Sequence, residues 1–265
     1  MTFELRRLRF HFRATQPIVW PHAGNALRGA LGAVLHREPD AYGRIFRPHA
    51  AGAGPSGLAD QPRPFVIRAA HLDGAALPPG AHFHFDVYLF ERSEAMRNEF
   101  QQAYATLARA ALLSVEEEDI AVDLAPAPEP VACVRVRFVT PTELKAGAEL
   151  VKRPEFGILI ARLRDRIGTL RALYGAGPLD LDFREFGERA ARVRMTRCEL
   201  QWTTAERRSR GTGQTHPLGG FTGVAEYEGD LGEFLPYLRA GQYTGVGRQT
   251  VWGKGEIRVT LDTEP

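Results

Sequence analysis

Ala125-Pro-Ala-Pro-Glu-Pro130 lies almost at the midpoint of a chain of 265 residues. Proline fixes φ near −65° and has no N–H, so this run suits neither a helix interior nor a central strand. It reads as a linker between two units. At roughly 150 residues per domain, the length allows two domains of ordinary size. The expected boundaries are 1–125 and 131–265.

The chain on the N-terminal side reads as alternating elements. Residues 3–13 mix Phe, Leu and Arg as a strand does. Leu27, Leu31, Val34 and Leu35 fall at helical spacing within 23–37. Gly29 and Gly32 inside that helix cost about 1 kcal/mol each relative to Ala, so close packing is expected at both. Residues 63–72 form a second strand candidate. Residues 81–90 alternate Phe83, Phe85, Val87 and Leu89 with His82, His84 and Asp86. A helix capped by Ser93 follows, with Met96, Phe100, Tyr104, Leu107 and Ala111 as its apolar stripe. A short strand at 120–124 closes the unit.

The C-terminal side repeats this order. Residues 131–139 place Val134, Val136 and Phe138 on one face, with Arg135 and Arg137 on the other. Pro154 suits a first helical turn, and Phe156, Leu159, Leu163, Ile167, Leu170 and Tyr174 continue the stripe to a stop at Gly175. Strands follow at 193–206 and 218–228, joined by a basic loop. Asp230 and Glu233 resemble a capping box for a short helix ending near Gly241. Ile257, Val259 and Leu261 alternate in a last strand. Each half reads β-α-β-β-α-β. The fold class is therefore α+β, two tandem ferredoxin-like domains, with the weakest patterns at 40–62 and 175–192.

Composition excludes several classes of function. Thirty-four basic and 32 acidic residues leave a formal charge of only +2, so this is no histone-like polycation. The lysines are Lys145, Lys152 and Lys254; all other basic residues are Arg, a planar bidentate phosphate binder. Eight Arg within 1–50 and six carboxylates within 116–130 suggest that a near-neutral total conceals a basic face. Cys133 and Cys198 form neither a disulfide framework nor a zinc ribbon and read as small buried hydrophobes. No cluster has metal-ligand spacing, and no metal or cofactor is expected. No apolar run approaches the ~20 residues that span a bilayer, and no signal peptide is visible. A soluble cytoplasmic protein with no membrane partner is expected.

The most informative segment is Gly245-Val-Gly-Arg-Gln-Thr-Val-Trp-Gly-Lys-Gly255. Its glycines permit positive φ and close backbone approach. Exposed amides there would form an anion-binding nest, beside Arg248 and Lys254. It is not a dinucleotide fingerprint, because Thr250 stands where the third Gly belongs. It is not a Walker A loop, because Arg248 and Gly255 occupy positions that need Gly and Ser or Thr. A ligand-free turn is the alternative. Upstream, Arg207, Arg208, Arg210 and His216 form a second basic patch on an expected hairpin tip, read as a phosphate clamp or as a solvated loop.

Two ferredoxin-like halves ending in Gly-hydrophobic-Gly-x5-Gly-x-Gly resemble the repeat-associated mysterious proteins of CRISPR systems. Within that superfamily the chain resembles the Cas-six family of repeat-processing endoribonucleases. Residues 217–223 (Pro-Leu-Gly-Gly-Phe-Thr-Gly), 227–231 (Tyr-Glu-Gly-Asp-Leu) and 26–32 (Ala-Leu-Arg-Gly-Ala-Leu-Gly) add to the likeness. The resemblance implies a metal-independent nuclease that cuts CRISPR precursor RNA within its repeats, leaving a 2′,3′-cyclic phosphate. A non-catalytic RNA-binding subunit of a CRISPR effector complex is the alternative. The partners implied are CRISPR repeat RNA and effector-complex proteins, for a monomer or homodimer.

Such a cut needs a proton acceptor, a proton donor and positive charge on the phosphorane. In the family the catalytic histidine sits around the first helix. Here His22 precedes that helix and His36 ends it, roughly 20 Å apart along a straight helix. Both are catalytic candidates, with Arg28 as phosphorane stabiliser; each also reads as an ordinary surface group. His49 and Tyr42 are weaker candidates, and His82 and His84 read as surface residues. The RNA-binding candidates are Arg207, Arg208, Arg210, His216, Gly245, Gly247, Arg248, Gly253, Lys254 and Gly255.

Overall fold

The computed structural model describes residues 1–48, 61–147, 149–203, 206–208, 215–217 and 219–261, with the backbone alone at 206–208 and 215–217. The first sheet comprises β1 (Thr2–Ala14), β2 (Phe65–Arg68), β3 (His82–Leu89) and β4 (Ala110–Asp123). Helices α1 (Ala23–Leu35), α2 (Pro39–Phe46) and α3 (Glu94–Ala105) accompany it. The second sheet comprises β5 (Cys133–Thr142), β6 (Arg194–Thr203), β7 (Gly220–Glu228) and β8 (Ile257–Leu261). Its helices are α4 (Phe156–Tyr174), α5 (Phe183–Ala190) and α6 (Leu235–Thr244). Strand order is β2-β3-β1-β4 in one sheet and β6-β7-β5-β8 in the other, antiparallel throughout. The two orders are the same, and the chain is two tandem ferredoxin-like domains.

Where element boundaries depart from the sequence pattern, a tertiary partner explains the change. The helix capped by Ser93, whose hydroxyl accepts from Met96 N–H, ends at Ala105 and not near Ala111. Arg109 turns the chain at φ +65°, and β4 then pairs with β1 from Ala14–Ala110 to Thr2–Asp123. The short closing strand is thus the end of a 14-residue one. Glu233 makes no capping box: both its oxygens accept from Arg189, at 2.7 and 3.0 Å, and α6 starts at Leu235. Pro154 precedes the α4 N-cap Glu155. Both cysteines are half-buried on strands, not fully buried.

Part of the expected basic face near the N-terminus is neutralised by folding. The acidic run lies opposite the arginines of β1, in register. Arg6 clamps Asp119 through two hydrogen bonds, Arg7 meets Glu118 at 2.9 Å, and His11 meets Glu116 at 2.9 Å. Cross-strand pairing of opposite charges neutralises this ribbon.

The two cores interlock. Leu8, Phe10 and Phe12 of β1 join Phe83, Phe85, Phe100 and Tyr104 in the first core. Phe3 and Leu5, nearer the start of the same strand, pack instead into the second core with Val66 and Phe90. Val251, from the C-terminal glycine segment, is buried in the first core. No helix among the described residues is long and apolar enough to cross a membrane.

Candidate active site

The extension of β5 to Thr142 frames the glycine segment. Gly245, Gly247, Gly253 and Gly255 have φ of +68°, +81°, +84° and +70°, the left-handed region that L side chains avoid. A Cβ on Gly255 would lie 2.0 Å from Val246 O, and one on Gly247 2.3 Å from Glu143 O. The loop folds back on the protein through its own amides. Val246 N–H donates to Gly255 O, Gly255 N–H to Pro141 O, and Arg248 N–H to Glu143 O. Gly245, Trp252 and Gly253 amides also donate internally. Gly245 and Gly255 are buried. The expected run of exposed amides is therefore corrected: these six donors close the loop.

The loop's two cations are tied to one buried carboxylate. Arg248 Nη1 lies 2.7 Å from Glu143 Oε1. Lys254, only 3% exposed, donates to Gly219 O at 2.7 Å and Gln249 Oε1 at 2.9 Å, with Glu143 at 3.8 Å. Burial lowers the Lys254 pKa, opposed by Glu143.

Two arginines, Arg68 buried and Arg166 half-buried, hold the helix that feeds the loop. Arg68 of β2 donates to Gln242 O and Tyr243 O, and Arg166 of α4 to Thr244 O. They meet the negative end of the α6 dipole. Burial lowers the pKa of both, and the nearby Arg68 charge helps bring Arg166 to about 9.

The N-terminus of α1 packs directly on this loop. A Cβ on Gly24 would meet Gly253 Cα at 3.1 Å, so glycine favours this close approach. Gly32 lies against the Phe46 ring, whereas Gly29 has nothing within 4 Å, contrary to the packing expected there. Arg28 lies over the rings of Phe46 (5.1 Å) and Trp252 (5.5 Å), a cation–π arrangement. His22 is the exposed N-cap of α1. Asp73, which no sequence pattern singled out beyond its Asp-Gly turn, accepts from Ala23 N–H at 2.7 Å. Gly74 N–H donates to Trp20 O, strapping this turn to the chain before α1. Burial raises the Asp73 pKa, offset by the Ala23 amide and by His22.

A small cavity of 40 Å³ brings together His22, Asp73, Trp252, Gly253 and Lys254. His36 lies at the far end of α1, its ring edge-on to Tyr42 at 5.4 Å. A larger cleft of 780 Å³ separates the two sheets, lined by Arg9, His84, Asp86, Arg137 and Arg258 among others. His71 and His84 rings stack there at 4.8 Å. The hairpin pairs Arg207 with His216 and Arg208 with Thr215; Arg210 and the side chains of Arg207, Arg208 and His216 lie outside the described residues. His49 lies there too. Among the described residues no group of three or more His, Cys, Asp and Glu is placed to hold a metal.

Fold and loop together define a tandem ferredoxin-like protein whose C-terminal glycine loop meets the first helix of the N-terminal half. A family model described as CRISPR-associated endoribonuclease Cas6 matches residues 136–257, and one described as an N-terminal domain matches residues 3–118. No curated protein matches the sequence. Thermus thermophilus Cas6 shares the fold at TM-score 0.63 and 17% identity, over 97% of this chain and 98% of that one. A Cas6 product complex gives 0.59 at 21% identity, over 97% and 99%. A partial Cas6-RT-Cas1–Cas2 complex gives 0.63 at 13%, over 98% of this chain and 46% of that one. Residues 136–257, which carry the glycine loop, are thus similar to the Cas6 family.

Proposed function

We propose that the protein binds CRISPR repeat RNA and cuts it without metal, by attack of a ribose 2′-hydroxyl on the adjacent phosphate. The family match at residues 136–257 supports an RNA-cleaving enzyme. One observation carries the site: His22, Asp73, Gly253 and Lys254 share a cavity at the junction of α1 and the glycine loop. His36 shares none of these neighbours, so His22 is the preferred base.

His22 takes the proton of the 2′-hydroxyl as the O2′–P bond forms. The P–O5′ bond breaks, the 5′-oxygen takes a proton from solvent, and a 2′,3′-cyclic phosphate remains. Imidazole suits this step because it titrates near neutrality. Asp73 is a positioning residue, fixing the first amide of α1 and so the base of His22. Lys254, held by Gly219 O and Gln249 Oε1, forms one wall of the cavity, and Arg28 holds Trp252 in place. Arg207, Arg208, Arg210 and His216 grip the RNA backbone. A neighbour solved as a Cas6-RT-Cas1–Cas2 complex makes CRISPR proteins reasonable partners as well.

Cleavage of repeat RNA in EDTA tests this. His22→Ala should cut at least ~100-fold more slowly than wild type, with affinity nearly unchanged, while His36→Ala cuts normally. Full activity in His22→Ala would overturn the assignment. Wild-type binding without cutting would make the protein a non-catalytic RNA-binding subunit.

A further inference from the structure

A second surface feature lies away from the α1–loop junction. Among the described residues six large hydrophobics are exposed, and two of them share one groove: Trp202, 45% exposed, and Leu150, 48% exposed. The groove has a volume of 480 Å³ and is completed by Lys152, Leu200 and Phe221. That is within the ~300–1,000 Å³ typical of small-ligand sites. Phe221 is buried and faces Trp202 across the β6–β7 ladder, ring centroids 6.2 Å apart, so it forms the floor. Lys152 is exposed at the rim and forms no ion pair among the described residues. Trp202 is the penultimate residue of β6, and the chain re-pairs soon after as the hairpin Glu206–Arg208 with Thr215–Pro217.

A half-exposed indole over an apolar floor, with one cation at the rim, has the chemistry of a nucleotide site. Every base offers a π face that stacks on an aromatic ring without regard to sequence. The ammonium of Lys152 answers a phosphate as a point charge. An apolar protein segment would use the floor and leave Lys152 without a counter-charge.

We propose that this groove holds an unpaired nucleotide of the bound RNA, its base stacked on Trp202 and its phosphate paired with Lys152. The proposal rests on the RNA-binding reading above but not on cleavage. It places single-stranded RNA beside the arginine-bearing hairpin and gives the protein a means of recognising the flank of a structured repeat.

Binding measurements on two RNAs separate the outcomes: a repeat hairpin with unpaired flanks, and the same hairpin without them. Trp202→Ala should weaken binding of the flanked RNA about tenfold and leave the bare hairpin unaffected. Trp202→Phe should restore most of the affinity. Lys152→Ala should lower the salt slope for the flanked RNA by about 0.7, the value for one phosphate on a single strand. All three change exposed groups, and unchanged thermal midpoints verify folding. If wild type binds the flanked RNA and Trp202→Ala and Lys152→Ala bind it equally well, the groove is not a nucleotide site, although the RNA-binding reading stands. Equal weakening for both RNAs also overturns the proposal. So does a Trp202→Ala variant that keeps its RNA affinity but no longer binds a CRISPR protein held by wild type. Failure of wild type to bind either RNA removes the RNA-binding reading itself.

Discussion

Glycine at four positions of one loop separates two meanings of the same residue. Gly255 and Gly247 hold positive φ with carbonyl oxygens 2.0 and 2.3 Å from where a Cβ would stand. Gly255→Ala should therefore lower stability by about 2 kcal/mol or more, through left-handed strain and the clash with Val246 O; chemical denaturation measures it. Gly29 is the opposite case, an exposed helix-interior glycine with open space around it. Gly29→Ala should raise stability by about 0.5–1 kcal/mol, mainly by restricting the unfolded chain. Asp73 is read by kinetics. Asp73→Ala removes the acceptor for Ala23 N–H and should lower kcat about tenfold with KM near wild type, while Asp73→Asn, which retains an acceptor oxygen, should recover much of it. A pure KM effect would make Asp73 a substrate contact.

At the scale of elements, the β1–β4 ribbon joins an arginine strand to an acidic one. A hydrogen bond from Arg6 holds Asp119 below the ordinary carboxylate range. A native pKa lower than the unfolded one adds stability above the unfolded value, near ~4, and loses it as pH falls through the native value. Asp119→Asn should therefore cost about 0.2–1 kcal/mol at pH 7, since the pair is exposed to solvent. The gap between variant and wild type should close in acid; a gap that persists at pH 2 would contradict the pairing. The ribbon also shows why an element misread by sequence can still leave the fold legible. Leu107 and Ala111 continue the α3 stripe, yet β1 offers a full ladder of partners from Ala110 onward, and strand pairing prevails over local periodicity.

Across the whole molecule, interlocked cores tie the two ferredoxin-like units together. Phe3, Leu5, Val66, Phe90 and Leu124 belong to the second core, and Val251 to the first. Thermal unfolding should accordingly be a single transition. Two well-separated transitions in calorimetry would show that the halves act independently. Neutralising Arg207, Arg208 and Arg210 should weaken RNA binding and flatten its dependence on salt, by about one unit for each phosphate no longer gripped. An unchanged slope would make that hairpin a bystander.

The sequence by itself determined the architecture. A proline-rich midpoint and two matching series of strand and helix patterns specified tandem ferredoxin-like units, because apolar periodicity and turn chemistry act over a few residues. The four loop glycines were legible for the same reason, as positions where only glycine relieves backbone strain. Which groups meet at the site was decided by tertiary structure alone. His22, Asp73 and Gly253 lie far apart along the chain and converge only when α1, the Asp73 turn and the C-terminal loop pack together. Whether Arg6, Lys254 or Arg248 presents free charge was likewise invisible in sequence, because the partner that neutralises each one is a distant carboxylate or carbonyl brought near by folding.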